Sequence, residues 1–130
     1  MINLRDYQEE LITNIKQSIL KGNRSIIVQS PPRSGKTVVM AHIAKGATDK
    51  GNKVLFFSHR KEINEQVKKT FELNDVNLNL VTIDGVQTLV KKLEDLEEPE
   101  IILIDEAHHS KANSYIKIIN HFQNALKLLF

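Results

Sequence analysis

Short, unbroken apolar runs alternate along this chain with stretches whose apolar residues recur at helical spacing, and this alternation restricts the fold more than any other feature. The runs are Ile26 to Val28, Val54 to Phe57, Ile101 to Ile104 and Leu126 to Phe130, with a further short strand expected near Leu80. A strand with no polar alternation is expected to be buried on both faces. Between these runs, Tyr7, Leu11, Ile15 and Ile19, with Ile12 beside them, predict a helix over Asp6 to Leu20 that Gly22 caps. Val38, Val39, Ile43 and Ala47 predict a second helix from about Gly35 to Lys50, stopped by Gly51. Ile63, Val67 and Phe71 repeat at the same spacing, as do Val86, Leu89, Val90 and Leu93, and then Tyr115, Ile116, Ile119 and Phe122. Strand–helix alternation of this kind implies an α/β domain of three layers, with a mostly parallel central sheet covered by helices on both faces. Leu126 to Phe130 reads as the start of a fifth strand, leaving an unfinished sheet edge after it.

The length of 130 residues suits one domain with its own core, and the whole chain is expected to form that single unit. A net charge of +2, from 18 basic and 16 acidic residues, makes any contact with a polyanion local rather than global. The acidic stretch Glu94, Asp95, Glu97, Glu98 reads as a solvated turn rather than a binding site. Cysteine is absent, so disulfides and thiolate metal sites are excluded. No signal-peptide pattern and no membrane-spanning apolar run occurs, and the expected setting is cytoplasmic, without a membrane partner.

Chemistry concentrates at two strand ends. Ser30-Pro31-Pro32-Arg33-Ser34-Gly35-Lys36-Thr37 lies between a predicted buried strand and a predicted helix, the setting a phosphate-binding P-loop requires. Backbone N–H groups at a helix N-terminus hold phosphate oxygens; the Lys36 ammonium suits β and γ phosphates, and the Thr37 hydroxyl suits Mg²⁺. Ser30 stands at the position of the usual first glycine, and Pro31 and Pro32 lack N–H groups, so Arg33, Ser34, Gly35, Lys36 and Thr37 must form the cradle for ATP. The bland alternative is a Gly-Lys-Thr tripeptide opening an ordinary helix.

Asp105-Glu106-Ala107-His108 follows the run Ile101 to Ile104, which puts two carboxylates at the C-terminal edge of a buried parallel strand. Ligands of open α/β sheets bind at that edge. Asp105 there can hold Mg²⁺, and Glu106 can orient and deprotonate the water that attacks a γ phosphate. His108 suits a polar relay between the nucleotide and the rest of a motor. A transition-metal site built from Asp105, Glu106, His108 and His109 is the competing reading.

With both motifs in place, the chain resembles the superfamily 2 helicases of the DEAH type, over essentially its whole length. The resemblance implies a P-loop NTPase of RecA-like fold that uses ATP and Mg²⁺, with Lys36, Asp105, Glu106 and His108 as its catalytic set and Thr37 and Asp105 on the metal. Leu4-Arg5-Asp6-Tyr7-Gln8 looks like the family's Q motif, which implies that the Gln8 amide reads the adenine edge; without the family, Gln8 would be a surface residue of an amphipathic helix. Ser58-His59-Arg60 looks like motif Ia, and Val86-Gln87-Thr88-Leu89 looks like motif Ib, both of which touch nucleic-acid backbone in the family. Read alone, Arg60 is a helix-start residue, and Gln87 and Thr88 face solvent.

Two departures from the family pattern stand out. Pro32 and Arg33 occupy positions where threonine and glycine are common, and the 130 residues contain neither motif III nor the second RecA-like domain with its arginine fingers. The expectation is therefore the ATP-binding half of a helicase or translocase, a slow ATPase alone, completed in cis or in trans by a second RecA-like domain. DNA is favoured over RNA because this Q motif beside Asp-Glu-Ala-His resembles the DNA-acting branch. The rival from another class is a non-catalytic nucleotide- or nucleic-acid-binding module that regulates a partner. A P-loop kinase or nucleotide switch is a third reading, opposed by the Asp-Glu-Ala-His order and by the upstream Gln8.

Overall fold

A computed structural model describes residues 6–28, 36–105 and 113–130, and of Asp6, Tyr7 and Lys36 it describes the backbone alone. The predicted alternation is present: α1 (Asp6–Leu20), β1 (Ser25–Ile27), α2 (Lys36–Asp49), β2 (Val54–Ser58), α3 (Lys61–Leu73), β3 (Val81–Gly85), α4 (Val86–Lys91), β4 (Ile101–Ile104), α5 (Asn113–His121) and β5 (Leu126–Leu129). The five strands form one sheet in the order β1-β5-β4-β2-β3, and every pairing is parallel.

Period-two geometry explains why the strand runs lack polar alternation. Successive side chains leave opposite faces of a strand, and here both faces are covered. Val54 and Phe56 of β2, Leu103 of β4 and Leu126 and Leu128 of β5 join one core with Ile12 and Ile15 of α1, Val39 and Met40 of α2, and Val67 and Phe71 of α3. Leu55, Phe57, Ile102 and Ile104 join the other, with Val86 and Leu89 of α4, Tyr115 and Ile118 of α5, and Phe122 just beyond it. The result is three layers, α1–α2–α3 over the sheet and α4–α5 beneath it.

Three helices stop in the same way. Gly22 and Gly51 take positive φ values of 93° and 81° after α1 and α2, where their missing Cβ removes the steric cost. The reverse-turn bonds Asn23 N to Ser18 O and Asn52 N to Ala47 O close these ends. Asp75 does the same after α3 at φ 59°, as the one non-glycine with positive φ among the described residues.

Several expectations are corrected. Ile26 to Val28 does not form a strand buried on both faces: among the described residues β1 is an edge strand with β5 as its one neighbour, and Ile27 is 72% exposed. Leu126 to Leu129 is not the sheet's unfinished margin, because β5 lies between β1 and β4, and among the described residues the edge strands are β1 and β3. On α5 the inward residues are Tyr115 and Ile118, whereas Ile116 turns to solvent. The strand expected near Leu80 begins one residue later, after a single 3-10 turn over Leu78–Leu80. The acidic stretch is a solvent-facing turn, as expected, with Glu94, Asp95, Glu97 and Glu98 all exposed.

Lys127 is the one cation among the buried side chains of the described residues. Its Nζ donates to Ala125 O at 3.0 Å and to Gln123 O at 3.4 Å, tying down the turn between α5 and β5. Burial lowers its pKa below the ordinary lysine value; Glu98 opposes that shift and Arg24 adds to it.

Candidate functional site at the C-terminal sheet edge

Because all five strands are parallel, their C-terminal ends share one edge. Register fixes the level of each end: Ile27 and Ile104 both pair with Leu129, Phe57 pairs with Ile104, and Ser58 pairs with Gly85. The bonds from Val28 N to Leu129 O at 2.7 Å and from Phe130 N to Ile104 O at 2.8 Å carry the ladder one residue further. Val28, Phe130, Asp105, Ser58 and Gly85 therefore form a row across the sheet. Strands stand about 4.8 Å apart, so the end of β1 and Asp105 are roughly 10 Å apart, with Gly85 about as far again on the other side.

The half of this row that carries the predicted nucleotide residues includes the ends of β1 and β4. α2 opens at Lys36, with Thr37 half-buried in its first turn, and follows β1 in the chain. Asp105 is 3% exposed, held by the last turn of backbone after the fully buried Ile102, Leu103 and Ile104. Arg33, Ser34 and Gly35 of the loop, and Glu106, His108 and His109 beyond the strand, lie outside the described residues. So does the competing metal cluster apart from Asp105; among the described residues, no group of three or more histidine or acidic side chains is arranged to hold a metal ion. Gln8 is 4% exposed, which removes the bland reading of a surface glutamine on α1.

The other half of the row is a groove of about 420 Å³ between the ends of β2 and β3 and the starts of α3 and α4. His59, Gln87 and Thr88, predicted from two separate segments, line it together, and Lys61, Asn64 and Lys68 of α3 face the same space. Sequence reasoning missed these three. The helical spacing of Lys61, Asn64 and Lys68 was a usable signal, since those positions share one face of α3. Glu65 and Asp84 also line the groove, and the Lys92 ammonium, 2.6 Å from Asp84 Oδ2, offsets the charge of the latter.

Ser58 and Arg60 are placed differently. Ser58 is fully buried; its Oγ accepts from Arg60 N at 3.2 Å, and its carbonyl accepts from Asn64 Nδ2 at 3.3 Å. Its side chain thus anchors the start of α3 and offers no surface to a ligand. Arg60 is exposed at the N-cap of α3, outside the set that lines the groove. A second cavity, about 230 Å³, lies at the opposite edge among Lys53, Asp95, Glu97 and Phe122. The strand ends that carry the predicted chemistry are not there.

Comparison with known proteins follows the same lines. The sequence profile of ResIII, the type III restriction enzyme res subunit, matches residues 1–78 and 72–130. A protein of Saccharomyces cerevisiae named for ATP-dependent helicase activity, IRC3, is 34% identical over 144 aligned residues, covering 92% of this chain and 21% of that protein. The UvsW helicase from bacteriophage T4 superimposes with a TM-score of 0.77 at 19% identity, covering 98% of this chain and 52% of that one. A nuclease-deletion mutant of the Type ISP restriction-modification enzyme LlaGI, in complex with a DNA substrate mimic, gives the same TM-score at 20% identity, covering 98% of this chain and 17% of that one. The chain spans from about an eighth to a quarter of the length of the curated relatives it matches. Among the described residues, no helix is long and apolar enough to cross a membrane.

Proposed function

From a chain that belongs to the ResIII family and has the RecA-like fold of superfamily 2 helicases, we propose an ATP-binding domain of a nucleic-acid motor that couples Mg-ATP hydrolysis to strand movement when a second RecA-like domain completes its cleft. The observation that supports this best is the shared sheet edge: the end of β1, from which the predicted phosphate loop departs, and the buried Asp105 lie two strand spacings apart, about the span of a triphosphate with its metal.

In this reading, Arg33, Ser34, Gly35, Lys36 and Thr37 cradle the phosphates and the Gln8 amide pairs with the adenine edge. Thr37 and Asp105 are hard oxygen donors of the kind Mg²⁺ prefers, and would hold it; once bound, it neutralises charge on the phosphates. Lys36 steadies the γ phosphate. Glu106 takes the proton of the attacking water as its oxygen bonds to phosphorus and the bond to the bridging oxygen of ADP breaks. His108 relays the nucleotide state. The second domain supplies the arginine finger, without which turnover falls by roughly three to five powers of ten.

The groove of His59, Lys61, Asn64, Lys68, Gln87 and Thr88 takes nucleic-acid backbone, with Ser58 contributing by anchoring α3 and Arg60 reaching phosphate from its exposed position. DNA is favoured over RNA, in keeping with the DNA substrate mimic bound by LlaGI. Phosphate release tests the proposal. The chain alone should release phosphate from ATP slowly and lose that activity as Lys36→Ala, without unwinding a duplex. Lys36-independent release, or sustained unwinding by the chain alone, would overturn it.

A further inference from the structure

The charges that line the groove nearly cancel. Among the described residues they are Lys61, Glu65 and Lys68 of α3 and Asp84 of β3, so with histidine counted as neutral the lining by itself carries no net charge. On α3, Lys61 stands four residues before Glu65 and Lys68 three after it, spacings at which side chains meet on a helix surface, and the three together leave one positive charge. Asp84 comes from a different element. It is the fourth residue of β3, in register with Phe57, and its side chain is 31% exposed, so its carboxylate faces the same solvent-filled space as the lysines.

A carboxylate there opposes the binding of phosphates, which are anionic and can only accept hydrogen bonds. The fold answers it from outside the lining. Asp84 Oδ2 accepts from Lys92 Nζ at 2.6 Å, and Lys92 is the C-cap of α4, the helix whose first turn brings Gln87 and Thr88 to the groove. Two opposite charges at contact distance act on a third charge as a dipole, whose field falls off faster than that of either charge alone. With Asp84 neutralised in this way, the surplus positive charge of α3 sets the sign of the groove.

We infer that Lys92 is a positioning residue for nucleic-acid binding: it holds the Asp84 carboxylate at the end of β3 and cancels a charge that would otherwise repel the strand, without touching the strand itself. The inference rests on the nucleic-acid reading of the groove, and its test separates the two.

Binding of a single-stranded DNA oligonucleotide at low salt, followed by fluorescence anisotropy, is compared for the wild type, Lys92→Met, Asp84→Asn and the double variant. Unmasking one partly exposed charge should weaken binding by Lys92→Met roughly 2- to 5-fold. Asp84→Asn should bind at least as tightly as the wild type, and in that background Lys92→Met should cost less than about 1.5-fold, because no carboxylate is left to unmask. The deficit of Lys92→Met should also shrink as salt is raised and exposed charges are screened over about 10 Å or less. Equal losses for Lys92→Met in both backgrounds would mean that Lys92 meets the strand directly or acts through the fold, and would overturn the inference. Weakening by Asp84→Asn to match that of Lys92→Met would overturn it too, because the pair would then serve only to brace β3 against α4. If the wild type binds no oligonucleotide, the nucleic-acid reading fails and this role with it; wild-type binding that Lys92→Met leaves intact overturns this inference alone.

Discussion

Replacing Asp75 with glycine should stabilise the protein. Asp75 closes α3 with φ 59°; its N–H donates to Glu72 O at 3.2 Å, and the next residue returns Val76 N to Phe71 O at 3.1 Å. Val76 is buried in the same core cluster as Phe71, so packing fixes the turn whatever residue stands at 75. A left-handed backbone costs an L-residue about 1–2 kcal/mol, with aspartate at the low end of that range. Glycine escapes this cost but loses roughly 0.5 kcal/mol through the greater freedom of its unfolded chain. The net gain is about 0.5–1 kcal/mol. Unfolding entropy of about 2.1 cal/mol/K per residue converts this, over the 130 residues, into a rise in Tm of about 2–4 °C. Urea unfolding should show a higher midpoint with an unchanged slope. Asp75→Ala retains the Cβ and loses the polar side chain that tolerates this conformation, so it should not be stabilising. A gain for alanine equal to that for glycine would refute the strain argument, as would a loss for glycine.

Three further outcomes follow from the packing and the groove. Ile27→Thr on the exposed edge of β1 should change stability by less than about 0.5 kcal/mol, whereas Ile102→Thr in the fully buried centre of β4 should cost about 2–4 kcal/mol, both read from urea midpoints. Since folding lowers the pKa of Lys127, the unfolded chain holds a proton that the folded chain has released between that lowered value and 10.5, and stability contributed by this group rises with pH across the window. Lys127→Met should lack this rise in urea titrations taken at successive alkaline pH values, and an identical pH profile would contradict the assignment. The slope of log affinity against log salt for single-stranded DNA should shrink by about 0.7 for each of Lys61 and Lys68 changed to alanine. Lys45→Ala on α2, outside the groove, should leave that slope unaltered.

Features governed by local physics were the most legible in the sequence. The helix stops at Gly22 and Gly51 need one residue with positive φ, and the place of Asp105 at the buried end of β4 needs one apolar run before it. What depends on strand order was less so. Ile26 to Val28 is as apolar as a central strand, but edge or centre is decided by where β5 inserts, roughly a hundred residues later. The same reason placed the open margin at the wrong strand. Gln8 is polar and on a helix, so its burial depends on tertiary neighbours that no periodicity reports. Ser58 was recognised as part of a strand-end motif, but its hydroxyl serves the backbone of Arg60, a competition between local capping and ligand contact that residue type alone does not resolve. The approach of the Tyr115 hydroxyl to His59 Nδ1, 3.3 Å, joins the first turn of α5 to the junction between β2 and α3 and left no trace in either segment. Asp75 gave no sequence signal either, because aspartate is an ordinary residue for a loop.

The central claim, a P-loop domain that holds Mg-ATP across the ends of β1 and β4, is tested most directly by calorimetric titration of Mg-ATP into the wild-type chain, Lys36→Ala and Asp105→Asn. The account predicts micromolar to millimolar binding by the wild type. Losing the charged bond from Lys36 to phosphate should weaken binding by about 10- to 150-fold, and Asp105→Asn should reduce the advantage that Mg²⁺ confers. No binding by the wild type, or equal binding by all three proteins, would contradict it.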